Sequence, residues 1–216
     1  MPHISFLGTG LMGAPMVARL LDAGFSLTLW NRTPDKAQRF ADRALIAASP
    51  AQAVAGADVV ITMLEDGAVV DQVLYQSGAI AGLRPDTLVI DMSSIEPATA
   101  RRHGAQVTQQ GGGYLDAPVS GGTRGAESGA LSIMAGGSEV DFHRAAPIFQ
   151  ALGKATHIGP VGSGQLAKLA NQAIVGITIG AVSEALLLAA KGGARPDKVR
   201  EALLGGFAGS KILEQH

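Results

Sequence analysis

The sequence contains no cysteine. That absence excludes a disulfide framework, a thiolate metal site and a cysteine nucleophile. Charge is scarce too: Asp, Glu, Lys and Arg make up 16% of the 216 residues, with 17 basic against 18 acidic side chains and a formal net charge of -1. An average domain carries roughly a quarter charged residues. There is neither a basic footprint for nucleic acid nor an acidic tail. The five histidines are scattered, with no H-E-x-x-H spacing and no adjacent carboxylates, so no metal site is expected. His3 and His157 read as structural residues in or beside strands. The N-terminus MPHISFLGTG lacks a basic segment ahead of a cleavable apolar run, from which a cytoplasmic location is expected. The longest stretch without an ionisable side chain, between Lys168 and Glu184, has fifteen residues and contains Asn171, Gln172, Thr178 and Ser183. It falls short of the roughly 18 residues that suggest a spanning segment, so it reads as a buried core helix and no membrane partner is expected.

What is abundant is hydrophobic residues, at 47%, and glycine, with 29. Together they indicate a well-buried α/β protein with many tight turns. Short apolar runs at His3–Leu7, Ser26–Trp30, Val59–Met63 and Leu88–Asp91 alternate with helical patterns at Leu11–Ala23, Pro34–Asp42, Gly67–Tyr75 and Pro97–Gln110. Alternation of this kind means crossover units and a mostly parallel sheet. Strands at Tyr114–Pro118, Leu131–Ala135 and Ala155–Ile158, with a helix at Glu139–Leu152, complete the sheet by about Gly159. A Pro/Gly/Ser segment at Gly159–Gly164 then hands over to helical pattern alone. Residues 1–162 are therefore expected to form one domain, and residues 163–216 to begin an all-helical one. That second part reads as incomplete, because its long apolar helix needs more helices to cover it than the turn and short segments after Lys191 supply. A partner subunit, making a homo-oligomer, or further sequence is expected to cover it.

Gly8, Gly10 and Gly13 form G-x-G-x-x-G directly after the first strand and at the start of the first helix. Gly8 permits a tight turn, Gly10 lets backbone approach a pyrophosphate, and Gly13 allows close packing of helix on strand, while the helix N-terminus supplies free N–H groups. Leu11 and Met12 are assigned to the same cofactor loop. Where an acidic residue usually bonds the ribose 2′-hydroxyl of NAD, the second strand ends in Trp30, Asn31 and Arg32. Arg32, with Asn31 and the Thr33 hydroxyl, suits a 2′-phosphate instead, so NADP is favoured and NAD remains possible. The Thr33 hydroxyl has a second available role, capping the helix that begins at Pro34. Met63 and Leu64 are placed against the nicotinamide or its ribose, and Ser93 or Ser94, with Ser94 preferred, at the carboxamide or ribose. Either serine could equally cap the helix near Pro97.

Four ordered segments, GTGLMGAPMVARLLDAG, DMSSIEP, DAPVSGGTRGAESGALSIMAGG and GSGQLAKLANQ, resemble those of the β-hydroxyacid dehydrogenases over essentially the whole chain. The resemblance implies a Rossmann domain followed by an all-helical domain. It also implies reversible hydride transfer between NAD(P) and the carbinol carbon of a short 3-hydroxy acid. Members that reduce tartronate semialdehyde are the most similar, followed by those acting on 3-hydroxyisobutyrate. Methylmalonate semialdehyde, succinic semialdehyde and glyoxylate also stay open as substrates. The resemblance makes Lys168 the catalytic acid/base and Ser120, Gly121 and Gly122 the cradle for the substrate carboxylate. Members of the family continue past the point matching His216, with helices that cover the long helix.

The residues agree chemically. Reducing an aldehyde requires a proton for the developing alkoxide, and Lys168, heading a run without charge, can supply it from a partly dry position. Asn171 and Gln172, three and four residues on, share its helical face, and either amide can position the lysine or the substrate oxygen, Asn171 being preferred. Ser120–Gly122 offers a hydroxyl and closely spaced backbone N–H groups. A catalytically idle dinucleotide-binding module would keep the three glycines and Arg32 but have no need of Lys168 or Ser120.

Overall fold

Strands covered on both faces need no polar alternation, so short, wholly apolar runs become the inner strands of a sheet. The computed structural model of the chain describes residues 1–215. Its strands are β1 (His3–Leu7), β2 (Ser26–Trp30), β3 (Leu45–Ile46), β4 (Val59–Thr62), β5 (Leu88–Asp91), β6 (Gly113–Asp116), β7 (Val119–Ser120), β8 (Leu131–Gly136) and β9 (Gly153–Gly159). They form one sheet in the order β3-β2-β1-β4-β5-β6-β8-β7, with β9 beside β8. Strands β1 to β6 pair in parallel, and only the β6–β8 and β7–β8 pairs are antiparallel. The order 3-2-1-4-5-6 is that of a doubly wound dinucleotide fold, whose switch point lies between β1 and β4, at the carboxyl ends of the strands.

The helices are α1 (Gly13–Asp22), α2 (Pro34–Gln38), α3 (Pro50–Val54), α4 (Gly67–Val70), α5 (Pro97–Gln109), α6 (Gly122–Ser128), α7 (Glu139–Leu152), α8 (Ser163–Lys191), α9 (Pro196–Leu204) and α10 (Lys211–Gln215). Alternate residues of the inner strands feed two cores. Ile61 and Ile90 pack with Met16, Leu20 and Ile148 on one face, and Val60 and Val89 with Val70, Ala100 and Val107 on the other. In α1 the buried Gly13, Met16, Val17, Leu20 and Leu21 recur at helical spacing and make one apolar stripe.

The compact units divide inside α8, between Lys168 and Leu169, beyond the Gly159–Gly164 segment where the composition changes. In the second unit, α9 and α10 are tied by the Arg200 guanidinium, which donates to the Leu213 carbonyl at 2.8 Å and to the Glu214 carbonyl. The expected burial of the long helix is not found within this chain. Of α8 only Gly164 and Gln165 are buried, while Ile174, Ile177 and Leu188 are 66%, 74% and 75% exposed. The described residues hold too few helices to surround it. Its 29 residues include an 18-residue window of mean hydropathy 2.0, which reaches the length and composition of a membrane-crossing helix, as the uncharged stretch alone did not.

Other departures have local causes. The single strand expected at Tyr114–Pro118 breaks at Pro118, which has no N–H for the ladder, and Val119–Ser120 turns back to pair with β8. The helix expected at Gly67–Tyr75 is α4 followed by a π-helix, Asp71–Gln76. Helix α2 stops at Gln38 in a run of turns, with Arg43 and Ala44 both bonding back to the Phe40 carbonyl. Elements β3, α3, α6 and the 3₁₀ turn Ala79–Gly82 are too short to leave a periodic signal.

Candidate active site

The three motif glycines meet different surroundings. Gly8 has φ +107°, and a Cβ there would lie 2.3 Å from the Met63 carbonyl oxygen. A Cβ on Gly13 would lie 1.8 Å from the Gly8 carbonyl oxygen. Around Gly10 a Cβ would meet nothing within 4 Å. Gly8 and Gly13 are thus required by the fold, whereas Gly10 faces open space at the start of α1, where the first N–H groups of the helix lack intrahelical acceptors. That space fits a pyrophosphate approaching bare backbone. Leu11 beside it is 88% exposed, and Met12 is the residue before the first turn of α1, half-buried against the core.

From Gly8 and Gly10 a cleft of about 400 Å³ runs past Trp30, Arg32, Met63 and Leu64 to the π-helix residues Gln72 and Val73. Asn31 lines the cleft, but its amide is already used: Oδ1 accepts the Thr9 N–H at 2.9 Å and Nδ2 donates to the Thr33 carbonyl at 2.9 Å. These bonds tie it to the glycine loop and to the turn after β2. The Thr33 hydroxyl does not cap α2, and Thr33 lines the cleft with no side-chain hydrogen bond among the described residues. Arg32 is exposed there, and no carboxylate pairs with it among the described residues. Lys36 lines the same cleft and was missed by the sequence reading. Arg32 stands just before α2 and Lys36 within it, and both cations line the one cleft. The π-helix wall is anchored by Asp71, which accepts from Arg102 at 3.1 and 2.9 Å and pairs with the buried His103 Nε2 at 2.8 Å. The Arg102 hydrogen bonds, aided by His103, hold the Asp71 carboxyl below the usual range.

Ser93 and Ser94 separate clearly. Ser93 is fully buried, and its Oγ accepts the Leu64 N–H at 3.0 Å, tying together the loops after β4 and β5. Ser94 is exposed. Neither caps α5, whose capping position is Glu96. His3 bonds Thr28 Oγ1 and His157 bonds the Gly137 carbonyl.

The second cluster is built at the carboxyl end of β6. The Asp116 carboxylate accepts the Gly162 N–H at 2.7 Å and the Gln165 N–H at 2.8 Å, and so holds the start of α8. Across β5, the buried Asp91 accepts from Thr62 Oγ1 at 2.8 Å and from the Ser93 N–H at 3.0 Å, and burial raises its pKa. Burial likewise pushes Asp116 up to about 6, against the pull of its two N–H donors. Sequence reading missed Asp116 and Gln165 as site-building residues, although both stand inside the quoted motifs. Since the folded state then keeps a proton that the unfolded chain releases above pH 3.8, the stability from this group is full below that value. It is lost as pH rises to about 6. Wild type should accordingly exceed Asp116→Asn in stability by more at pH 4 than at pH 7, measured by urea unfolding. A difference independent of pH would refute the raised titration.

One turn into α8, Lys168 Nζ donates to the Val119 carbonyl at 2.9 Å. This sets the ammonium one residue from the Ser120–Gly121–Gly122 turn, where Gly121 and Gly122 have φ +134° and +61°. A Cβ on Gly122 would meet nothing within 4 Å, so the turn faces open space. Burial lowers the pKa of Lys168. Asn171 Nδ2 donates to Gln172 Oε1 at 3.0 Å, so the two amides engage each other. Neither Lys168 nor Ser120 lines the 400 Å³ cleft. The cleft residue Leu64 is joined to the start of α8 through Ser93, which bonds both the Leu64 N–H and Gln165 Nε2.

A doubly wound sheet with a glycine loop at its switch point, Arg32 and Lys36 lining the adjoining cleft and a partly desolvated lysine beside a glycine turn defines a nicotinamide-dependent dehydrogenase. Residues 3–162 match the family model for the NAD binding domain of 6-phosphogluconate dehydrogenase, and residues 162–216 that for the NAD-binding of NADP-dependent 3-hydroxyisobutyrate dehydrogenase. The chain belongs to the NAD(P)-dependent 3-hydroxyacid dehydrogenases, the family of 3-hydroxyisobutyrate dehydrogenase and tartronate semialdehyde reductase. It is 44% identical over 215 residues to 2-hydroxy-3-oxopropionate reductase of Escherichia coli (strain K12), covering 99% of this chain and 74% of that protein. It is 38% identical to NAD-dependent L-serine dehydrogenase of Pseudomonas aeruginosa, over 99% of this chain and 73% of that protein. Among solved structures, Mycobacterium tuberculosis 3-hydroxyisobutyrate dehydrogenase with L-serine superposes with a TM-score of 0.92 at 37% identity, covering 100% of this chain and 74% of that one.

Proposed function

We propose that this chain is an NADPH-dependent reductase of short 3-oxo carboxylates, with tartronate semialdehyde as its first substrate. The observation that carries the reading is the Lys168 ammonium, partly desolvated and 2.9 Å from the Val119 carbonyl, beside the Ser120–Gly122 turn. A bound NADPH supplies the hydride. The backbone N–H groups of Gly121 and Gly122 and the Ser120 hydroxyl receive the substrate carboxylate, which orients the aldehyde. Lys168 has three donors, of which the Val119 carbonyl occupies one. A second can bond the carbonyl oxygen and pass its proton to the developing alkoxide, leaving a neutral amine. The 44% identity to a 2-hydroxy-3-oxopropionate reductase supports this substrate over the other semialdehydes. Assembly as a homo-oligomer belongs to the same proposal, supported by the apolar side chains that α8 leaves exposed. The test is NADPH oxidation followed with tartronate, methylmalonate and succinic semialdehydes and glyoxylate in parallel. A kcat/KM for tartronate semialdehyde below that of the others would reject the assignment.

The preference for NADP rests on Arg32 and Lys36 at the ribose end of the cleft. Arg32→Ala is expected to weaken NADPH binding by about 10- to 100-fold, the equivalent of about 1.5–3 kcal/mol for a charged hydrogen-bonded pair. NADH binding should change by less than about twofold, because NADH lacks the phosphate that the guanidinium would hold. Titration of both cofactors by fluorescence checks this, and equal losses would overturn it.

A further inference from the structure

Between the cofactor cleft and the helix carrying Lys168 runs a line of buried hydrogen bonds. The Leu64 N–H donates to Ser93 Oγ at 3.0 Å, and Gln165 Nε2 donates to the Ser93 carbonyl at 2.8 Å. The Ile95 N–H donates to Gln165 Oε1 at 3.1 Å, while the Gln165 N–H itself donates to Asp116 at 2.8 Å. Ser93, Asp116 and Gln165 are 0%, 0% and 1% exposed. Gln165 is thus a long polar side chain wholly inside the protein, with both ends of its amide bonded to one loop.

We propose that Gln165 is a positioning residue, locking the first turn of α8 to the Ser93–Ile95 loop and so setting the Lys168 ammonium against the reactive end of the cofactor. This rests on the catalytic reading of Lys168 above. The two fixings do different work. Asp116 takes N–H groups at the helix start, which sets where α8 begins but resists rotation about the helix axis poorly. The Gln165 amide projects sideways from the axis and is held at two points, which stops that rotation. Lys168 follows Gln165 by three residues, on a neighbouring part of the same surface. Its long side chain magnifies any turning of the helix: a rotation of about 10° carries the ammonium about 1 Å. A displacement of that size costs about 100-fold in a positioned reaction. An apolar side chain of equal volume would fill the space without specifying the rotation, and would leave the Ile95 N–H and the Ser93 carbonyl without these partners.

Gln165→Met keeps the volume and removes both bonds. It is expected to lower kcat by about 10- to 100-fold, with KM and the NADPH dissociation constant changed by less than about threefold. A second measurement needs no turnover: 15N NMR of Lys168 Nζ, assigned with Lys168→Arg. In wild type the Lys168 signal should titrate below the exposed lysines and move when NADPH is added. In Gln165→Met it should titrate with the exposed lysines and ignore NADPH. Gln165→Asn, one methylene short, should show the same split and serves if Met is not tolerated. An unchanged Lys168 titration in both variants would overturn the proposal, whatever the rates do. Turnover that survives Lys168→Ala would instead remove the catalytic reading, a result distinguishable because the Nζ titration is read separately.

Discussion

Lys168→Ala is expected to lower the rate of NADPH-dependent reduction by about 10²- to 10⁴-fold, the range for removing a general acid. NADPH affinity should change little, since Lys168 lies outside the cleft lined by Trp30 and Arg32. Lys168→Arg should not restore the rate: guanidinium keeps the charge but does not release its proton in the accessible pH range. Burial also predicts the pH dependence. In the proposed mechanism reduction uses the ammonium and oxidation the amine, and desolvation lowers the pKa that separates them. The reductive rate should therefore fall, and the oxidative rate rise, as pH passes upward through a midpoint below that of an ordinary lysine. Single-turnover rates in both directions measure this. A residual rate within about tenfold of wild type in Lys168→Ala would place the proton elsewhere.

The second large effect separates two glycines of one motif. In Gly13→Ala the new methyl would stand 1.8 Å from the Gly8 carbonyl oxygen and 3.1 Å from the Phe6 ring. The Gly8 backbone cannot yield without shifting α1 off β1. A loss of about 3 kcal/mol follows, at the upper end for overpacking, and in a chain of this size a fall in Tm of about 10 °C. Gly10→Ala meets no protein atom within 4 Å and should leave Tm within about 1 °C. Its methyl enters the space assigned to the pyrophosphate in the proposed site, so NADPH binding should weaken by at least about tenfold. Trp30, the only tryptophan in the sequence, lines the cleft and reports binding through its own fluorescence. Thermal melting and that titration should give opposite rankings of the two variants. Equal effects on stability would refute the division of labour among the glycines.

The legibility of the molecule followed the length of its signals. Strands β1, β2 and β5 and helix α7 have the ends their patterns predicted, because apolar runs bounded by turn residues are self-contained. Helix α6 was invisible: GTRGAES has no apolar period and two glycines, and it forms where the chain leaves the antiparallel edge of the sheet. The π-turn at Asp71 depends on Arg102 and His103, more than thirty residues away, and no local pattern encodes such a partner. Asn31 and Ser93 show the same limit within the site. Each was a sound ligand candidate by residue type, and in each the side-chain oxygen accepts a backbone N–H from another loop.

Sequence alone determined the α/β class, the mostly parallel sheet and the glycine loop, since each depends on residue types at short, regular spacings; Lys168 and Ser120–Gly122, far apart along the sequence, were singled out through the family resemblance. Only the tertiary structure decided which polar groups are free. Hydrogen-bonding capacity is spent once, and whether Asn31, Thr33, Ser93 or Gln165 spends it on the fold or on a ligand is settled by neighbours distant in the chain. The same holds for Asp91 and Asp116, whose raised pKa values arise from burial that no single segment carries.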